Sequence, residues 1–193
     1  MISQTNSFRK EVTSIKDLIV LQKNKFSDTR GTFTKLFSIQ EFIDLGIKVS
    51  LESINYSYTK KKGTFRGFHF QNYPHSELKV VSCIKGEIID YCIDLRKDSS
   101  TFLSYHSQIL SEANNNSLVI PKGCAHGFQS LTDDCQLIYM HSTSYNKESE
   151  DGINILDPLL KIILPIEISE ISERDKNFKF ITNDFLGIKV DAM

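Results

Sequence analysis

Neither sign of charge prevails in this chain: 23 lysines and arginines face 24 aspartates and glutamates among 193 residues, a formal net charge of -1. Without a one-sided field there is no global attraction to nucleic acid or to an anionic membrane, so the expected partner is small and only a local basic pocket stays open. Long apolar runs are missing as well. The opening stretch MISQTNSFRKEVTSIKDLIVLQ contains no uninterrupted apolar h-region, and nothing elsewhere approaches the length that spans a bilayer, which predicts a cytosolic chain with no membrane partner. The four cysteines, Cys83, Cys92, Cys124 and Cys135, never fall into a CxxC spacing and sit in apolar, strand-like surroundings, so buried free thiols are expected in place of a disulfide or a zinc site. Internal repeats and linkers are also lacking, and a division into two equal units would leave each unusually small. A single domain over residues 1–193 is the expectation.

Helical periodicity is scarce too. Its best cases are SIQEFIDLG, where Ser38 can cap and Gly46 can terminate, and SERDKNF after Pro165. What fills the chain instead is a series of short segments rich in β-branched and aromatic residues: DLIVLQ, GTFTKLFS, LESINYSYT, ELKVVSCI, GEIIDYCIDL, SLVIP and CQLIYMHSTSY. Turn signals at Lys85-Gly86-Glu87 and Leu131-Thr132-Asp133-Asp134 suggest that the strands on either side are antiparallel neighbours. Many strands with few helices predict an all-β fold, a jelly-roll β-sandwich or barrel with a few short peripheral helices.

The stretch GTFRGFHFQNYPHSELKVV sets an arginine, two histidines, a glutamate and a lysine into an otherwise apolar, strand-like context. If TFRGFHFQ is a strand, alternation puts Arg66, Phe68 and Phe70 on one face and Phe65, Gly67, His69 and Gln71 on the other. In ELKVVSCI, Glu77, Lys79 and Val81 share a face. A lysine among valines is costly to bury alone, so Lys79 either snorkels outward or serves a charged ligand. Taken singly, His69 reads as a satisfied core histidine, Tyr139 as a core tyrosine, Asp175 as a helix carboxylate and Glu150 as part of the charged loop NKESED. The set is more informative. IPKGCAHGFQSL adds His126, and CQLIYMHSTSY places Tyr139, His141, Thr143 and Tyr145 at alternate positions of one predicted strand.

Together with FSDTRGTF near the start and ISERDKNF near the end, the motifs GTFRGFHFQ, SELKVV, GEIIDYCIDLRKDSSTF, IPKGCAHGF, LIYMHSTSY and EDGINILDP resemble the dTDP-4-dehydrorhamnose 3,5-epimerase family, a cupin-like jelly-roll group, over nearly the whole chain. The resemblance implies an isomerase that needs no cofactor and acts on a nucleotide-linked 4-keto-6-deoxyhexose in deoxysugar and cell-surface polysaccharide biosynthesis. The ketone acidifies the C–H bonds at C3 and C5, and each centre is deprotonated and reprotonated from opposite faces. By the same resemblance His69 is the base, Asp175 orients it, Lys79 meets the enolate oxygen and Tyr139 returns the proton. Tyr145 matches a residue stacking on the thymine ring. Arg30, Arg66, His126 and Glu150 match nucleotide or sugar contacts, and Asn55, Gln71 and Arg174 join that substrate-binding set. Asp94 and Arg96 are expected to be structural. A homodimer is implied, with the apolar DLIVLQ strand available to extend a neighbour's sheet edge.

Several positions depart from the family pattern: Lys35 stands where a glutamate is common, Arg174 where a lysine is, and Leu164-Pro165 replaces a frequent Trp-Pro in a chain without tryptophan. Other readings remain open here: an epimerase acting at C3 or C5 alone, a non-catalytic sugar-binding jelly roll, or a metal-binding cupin using His69, His75, Glu77 and His126. The last lacks the HxH pair usual in metal-binding cupins, because Phe70 follows His69 and Gln71 stands two residues on.

Overall fold

The structure, a computed structural model, describes residues 2–190. The chain opens with β1 (Ile2–Gln4), β2 (Phe8–Val12) and β3 (Ile19–Lys23), then a hairpin of β4 (Lys25–Asp28) and β5 (Gly31–Thr34), and helix α1 (Ile39–Asp44). There follow β6 (Ser53–Thr59), β7 (Phe65–Gln71), β8 (Lys79–Lys85), β9 (Glu87–Asp94), β10 (Tyr105–Ser111), β11 (Asn116–Ile120), β12 (Cys124–Ser130) and β13 (Cys135–His141). β14 (Glu150–Gly152) and helix α2 (Glu173–Lys176) come last. Both helices begin where the sequence indicates: Ser38 accepts from the Glu41 amide and Ser172 from the Asp175 amide, each satisfying one of the orphan N–H groups of a first turn.

Two sheets carry the fold, a seven-stranded one ordered β1-β2-β3-β11-β8-β13-β6 and a five-stranded one ordered β10-β9-β12-β7-β14. All named strand pairs are antiparallel, and the result is the expected cupin-like jelly roll. Val20, Leu118, Val81 and Leu137 from the larger sheet meet Ile88, Cys92, Leu110 and Phe128 from the smaller one in the inner core. Both outer faces are covered too. Phe42, Leu45 and Ile47 of α1 and the loop after it pack on Phe8, Leu21, Val80 and Val119, while Ile153, Ile155 and Leu160 pack on Phe65, Phe68, Tyr91 and Ile93. Strands buried on both faces read as unbroken apolar runs, which explains sequences such as EIIDYCID and ELKVVSCI. The four cysteines are free and buried. Among the described residues no helix is long and apolar enough to cross a membrane.

Three expectations are corrected. The turns at Gly86 and at residues 131–134 do not make hairpins: β8 and β13 lie in the larger sheet, β9 and β12 in the smaller, so each turn carries the chain around a corner of the sandwich. The two corners pack together. Gly86 has φ 78°, and a Cβ there would stand 2.6 Å from Thr132 Oγ1. The DLIVLQ strand, β3, is flanked by β2 and β11, so it has no free edge to offer a neighbour. Finally, strand character ends at His141, and Tyr145 reaches its position from a loop rather than along the same strand as Tyr139.

β7 also breaks strict alternation. The register with β12 shifts between His126 and Phe128, a bulge that inserts one residue near Gly67. Phe65 and Phe68 consequently point the same way, into the outer core, and Arg66 joins His69 on the inner side instead of opposing it. Gly67 is required here: its φ is 135° and a Cβ would lie 2.5 Å from Gly127 Cα.

Candidate active site

Where β6, β13 and β8 of the larger sheet face β7, β12 and β14 of the smaller one, the inner core gives way to a cleft. It has two arms of about 190 and 250 Å³ that share Asn55, His69, Lys79 and His141. Strand register grades its wall. His141 stands opposite Ser53 and Lys79, Tyr139 opposite Asn55 and Val81, and Leu137 opposite Ser57 and Cys83, so polarity falls from rim to core in steps of two residues. A larger groove of about 730 Å³ beside α1 is mainly apolar and contains none of these groups.

His69 Nε2 lies 2.9 Å from Asp175 Oδ1, and the other carboxylate oxygen accepts from the Gly67 amide at 3.0 Å. The bulge and the His–Asp pair are therefore one construction: the amide freed at Gly67 fixes the carboxylate that fixes the ring. Burial opposes ionisation of Asp175, but the hydrogen bond and charge of His69 and the Gly67 amide outweigh it and bring the carboxyl down to about 2. An ionised carboxylate only accepts, so Nε2 carries a proton towards it and Nδ1 is the nitrogen left to exchange one. Arg174 Nη2 also lies 3.0 Å from Nε2, yet in that tautomer donor meets donor, so the contact holds nothing. Its seat comes from Glu150, 2.8 Å from Nη1, from Asp175, 3.4 Å from Nε, and from the Phe178 ring, 5.8 Å from the guanidinium carbon.

Tyr139 lies between two histidine rings. His126 meets it edge-on at 6.1 Å, and His141 stacks on it at 6.1 Å with 24° between planes. Burial pushes its phenol well up, so it holds its proton at neutral pH. His126 is itself bonded to the fully buried Asp90 at 2.6 Å. Lys79, nearly buried, pairs with Glu77 at 3.0 Å.

Most of the residues singled out in the sequence thus converge. His69, Lys79, Tyr139, Asn55, Arg66, Gln71, His126, Tyr145 and Glu150 line the cleft, Asp175 reaches it through His69, and Arg174 stands beside it on Glu150 and Asp175. Tyr145 is exposed at the mouth and donates to Glu150 at 2.9 Å. Gln71, besides lining the cleft, ties loop backbone with its amide, donating to His75 O and accepting from the Asn146 amide. Arg30 is not brought to the cleft. It sits at the tip of the β4–β5 hairpin, which belongs to neither main sheet, and pairs there with Asp28 in solvent. Asp94 and Arg96 are structural, as expected, joined by two 2.8 Å bonds that with Ser99 and Thr101 tie down the loop after β9.

The residues considered as metal ligands do not gather. His69 is taken by Asp175, His126 by Asp90, Glu77 by Lys79 and His141, and His75 by the Ser149 hydroxyl. Among the described residues no three His, Cys, Asp or Glu side chains converge on a point suited to a metal. Sequence reasoning left out Glu77 and His141 as members of the site, together with Asp90, whose place in EIIDYCID two residues before Cys92 was the available signal.

Comparison with known proteins agrees with this geometry. Residues 12–183 match the family described as dTDP-4-dehydrorhamnose 3,5-epimerase. A relative of that description from Shigella flexneri is 35% identical over 175 residues, covering 90% of this chain and 96% of the relative. Among solved structures, dTDP-4-dehydrorhamnose 3,5-epimerase from Bacillus anthracis with TDP and PPi bound superposes with a TM-score of 0.88 at 32% identity, covering 91% of this chain and all (100%) of that one. The dTDP-6-deoxy-D-glucose-3,5-epimerase of Legionella pneumophila in complex with dTDP-4-keto-L-rhamnose gives a TM-score of 0.88 at 32% identity over 96% of this chain and 100% of its own. Fold, cleft and sequence agree, and the chain belongs to the dTDP-4-dehydrorhamnose 3,5-epimerase family.

Proposed function

We propose that this chain is a cofactor-independent isomerase that inverts C3 and C5 of a dTDP-linked 4-keto-6-deoxyhexose, in the cytosol, for deoxysugar biosynthesis. The observation that carries the reading is the meeting, in one arm of about 250 Å³, of His69 held by Asp175, of Lys79, and of a partly buried, protonated Tyr139 supplied by the opposite sheet. His69 Nδ1 removes the proton next to the ketone. Asp175 offsets the imidazolium that forms, and the Lys79 ammonium stabilises the enolate oxygen. Tyr139 delivers a proton to the other face of the same carbon, after which the ring and phenol return to their starting states through solvent.

At the mouth, Tyr145 offers an exposed ring for the nucleobase, and Arg66 and Arg174 suit the diphosphate. The ligand-bearing relatives hold TDP with PPi and dTDP-4-keto-L-rhamnose, which supports the same substrate class here. Homodimerisation is part of the proposal. It rests on the β4–β5 hairpin, which stands apart from both sheets with Phe26 and Phe33 exposed, a local apolar surface of the kind a second copy covers. The experiment is incubation with dTDP-4-keto-6-deoxyglucose in D2O. Deuterium entering both C3 and C5 with formation of the rhamno epimer is expected; binding without exchange would leave only a sugar-nucleotide binder.

A further inference from the structure

The mechanism above gives no task to Glu77, yet its carboxylate is buried in the cleft, where negative charge near a forming enolate is unfavourable unless it is committed to a cation. Its two oxygens are committed. Oε1 lies 3.0 Å from Lys79 Nζ and Oε2 2.7 Å from His141 Nδ1, with the Glu77 side chain 8% exposed and that of Lys79 12%. Strand pairing sets this up: His141 of β13 is register-opposite Lys79 of β8, so one carboxylate just ahead of β8 bridges both. Of the other carboxylates around the cleft, Asp175 is held by His69 at 2.9 Å and Glu150 by Arg174 at 2.8 Å, while Asp90 bonds His126 at 2.6 Å and acts on Lys79 only through its charge, without contact. Among the described residues, Glu77 is the carboxylate in contact with Lys79.

We propose that Glu77 is a positioning residue that keeps Lys79 cationic beneath the sugar carbonyl, braced by His141, and thereby sets the alkaline limit of turnover. The inference rests on the functional reading above. A buried ammonium stripped of its counter-charge favours the neutral amine, and a neutral amine is a poor partner for an enolate. Burial works against ionisation of Glu77, but the His141 hydrogen bond and the Lys79 and His141 charges outweigh it and hold the carboxyl below its ordinary range. Two of the three Lys79 protons stay available for substrate, since one oxygen of Glu77 takes only one. The His141 ring, fixed by the same carboxylate, stacks on Tyr139, so the brace also seats the group that returns the proton.

The test is Glu77→Gln, read two ways. In pH profiles of turnover and of C3/C5 exchange, the variant should stay within about tenfold of wild type on the acid side and lose kcat on the alkaline side about one pH unit or more earlier, with KM changing less. Glu77→Asp should restore part of the limb. Adding Lys79→Arg to Glu77→Gln should abolish the early loss, because a guanidinium does not deprotonate. The second reading is independent of activity: pulse labelling with acetic anhydride followed by peptide mass spectrometry reports how much Lys79 is neutral at each pH. Lys79 should label at lower pH in Glu77→Gln than in wild type. If wild type shows no exchange at all, the functional reading fails and the labelling alone decides the pairing. Unchanged labelling, or a uniform loss of turnover with the wild-type pH shape, overturns the proposal.

Discussion

Replacing Asp175 by asparagine should separate what the carboxylate does for catalysis from what it does for stability. Its two oxygens accept chiefly from His69 Nε2 at 2.9 Å and the Gly67 amide at 3.0 Å, with Arg174 Nε a longer third donor at 3.4 Å. Asparagine has one oxygen and one NH2. With the NH2 toward Gly67, donor meets donor and the bulge loses its anchor; with the NH2 toward His69, the ring proton is driven to Nδ1, the nitrogen that must take the substrate proton. Either way the imidazolium loses its counter-charge, and exchange should fall by ~10²–10⁴-fold, the scale for disabling a positioned base. For stability, the carboxyl descends from 3.8 to about 2 on folding in a side chain that is 4% exposed. A shift of nearly two units at ~1.4 kcal/mol each is worth roughly 2 kcal/mol. Because the folded value is the lower one, this contribution is fully present above about pH 4 and is lost as the pH falls towards 2. Urea melts at pH 7, 4 and 3 should therefore show wild type ahead of Asp175→Asn by ~2 kcal/mol at neutral pH, with the gap narrowing below pH 4. Wild-type exchange in the variant, or a gap independent of pH, would refute the reasoning.

Other outcomes follow from the same geometry. Gly67→Ala forces a Cβ to within 2.5 Å of Gly127 Cα at a φ of 135°. It should cost ~1–3 kcal/mol by thermal or urea melt, with activity falling further than stability. Tyr145→Ala, at an exposed position at the mouth, should raise KM about tenfold with kcat nearly kept, the size of one lost base stack; a fall in kcat alone would move Tyr145 out of nucleotide binding. Turnover should persist in EDTA, because the proposed base, acid and oxyanion partner are all side chains; loss restored by one particular metal would favour the metallocupin reading.

Residue by residue the sequence read the side chains of this site as structural; the site became legible through the ordered set of motifs and the family they resemble, which assigned His69, Lys79, Tyr139 and Asp175 their roles. Lys79 among valines stood out as an anomaly of the strand pattern, and the two short helices were visible at Ser38 and in SERDKNF. The misreadings came from geometry that local chemistry leaves open. A turn glycine such as Gly86 serves a hairpin and a sandwich corner equally well, so strand adjacency was misassigned. One inserted residue near Gly67 reversed the face of Arg66. DLIVLQ looked like an available edge because its partners β2 and β11 come from opposite sides of it in the chain, one of them far downstream. Glu77 reads in the sequence as a candidate metal ligand, and its pairing with Lys79 shows only once β13 brings His141 alongside.

The measurement that tests the central claim most directly is proton exchange against inversion in two variants, His69→Ala and Tyr139→Phe, each incubated with dTDP-4-keto-6-deoxyglucose in D2O and followed by NMR. If His69 takes the proton and Tyr139 returns one from the other face, His69→Ala abolishes both deuterium incorporation and inversion, since no enolate forms. Tyr139→Phe continues to exchange with retention while inversion falls by ~100-fold or more. Inversion of C5 at the wild-type rate in Tyr139→Phe, or continued exchange in His69→Ala, would contradict the assignment of acid and base made here.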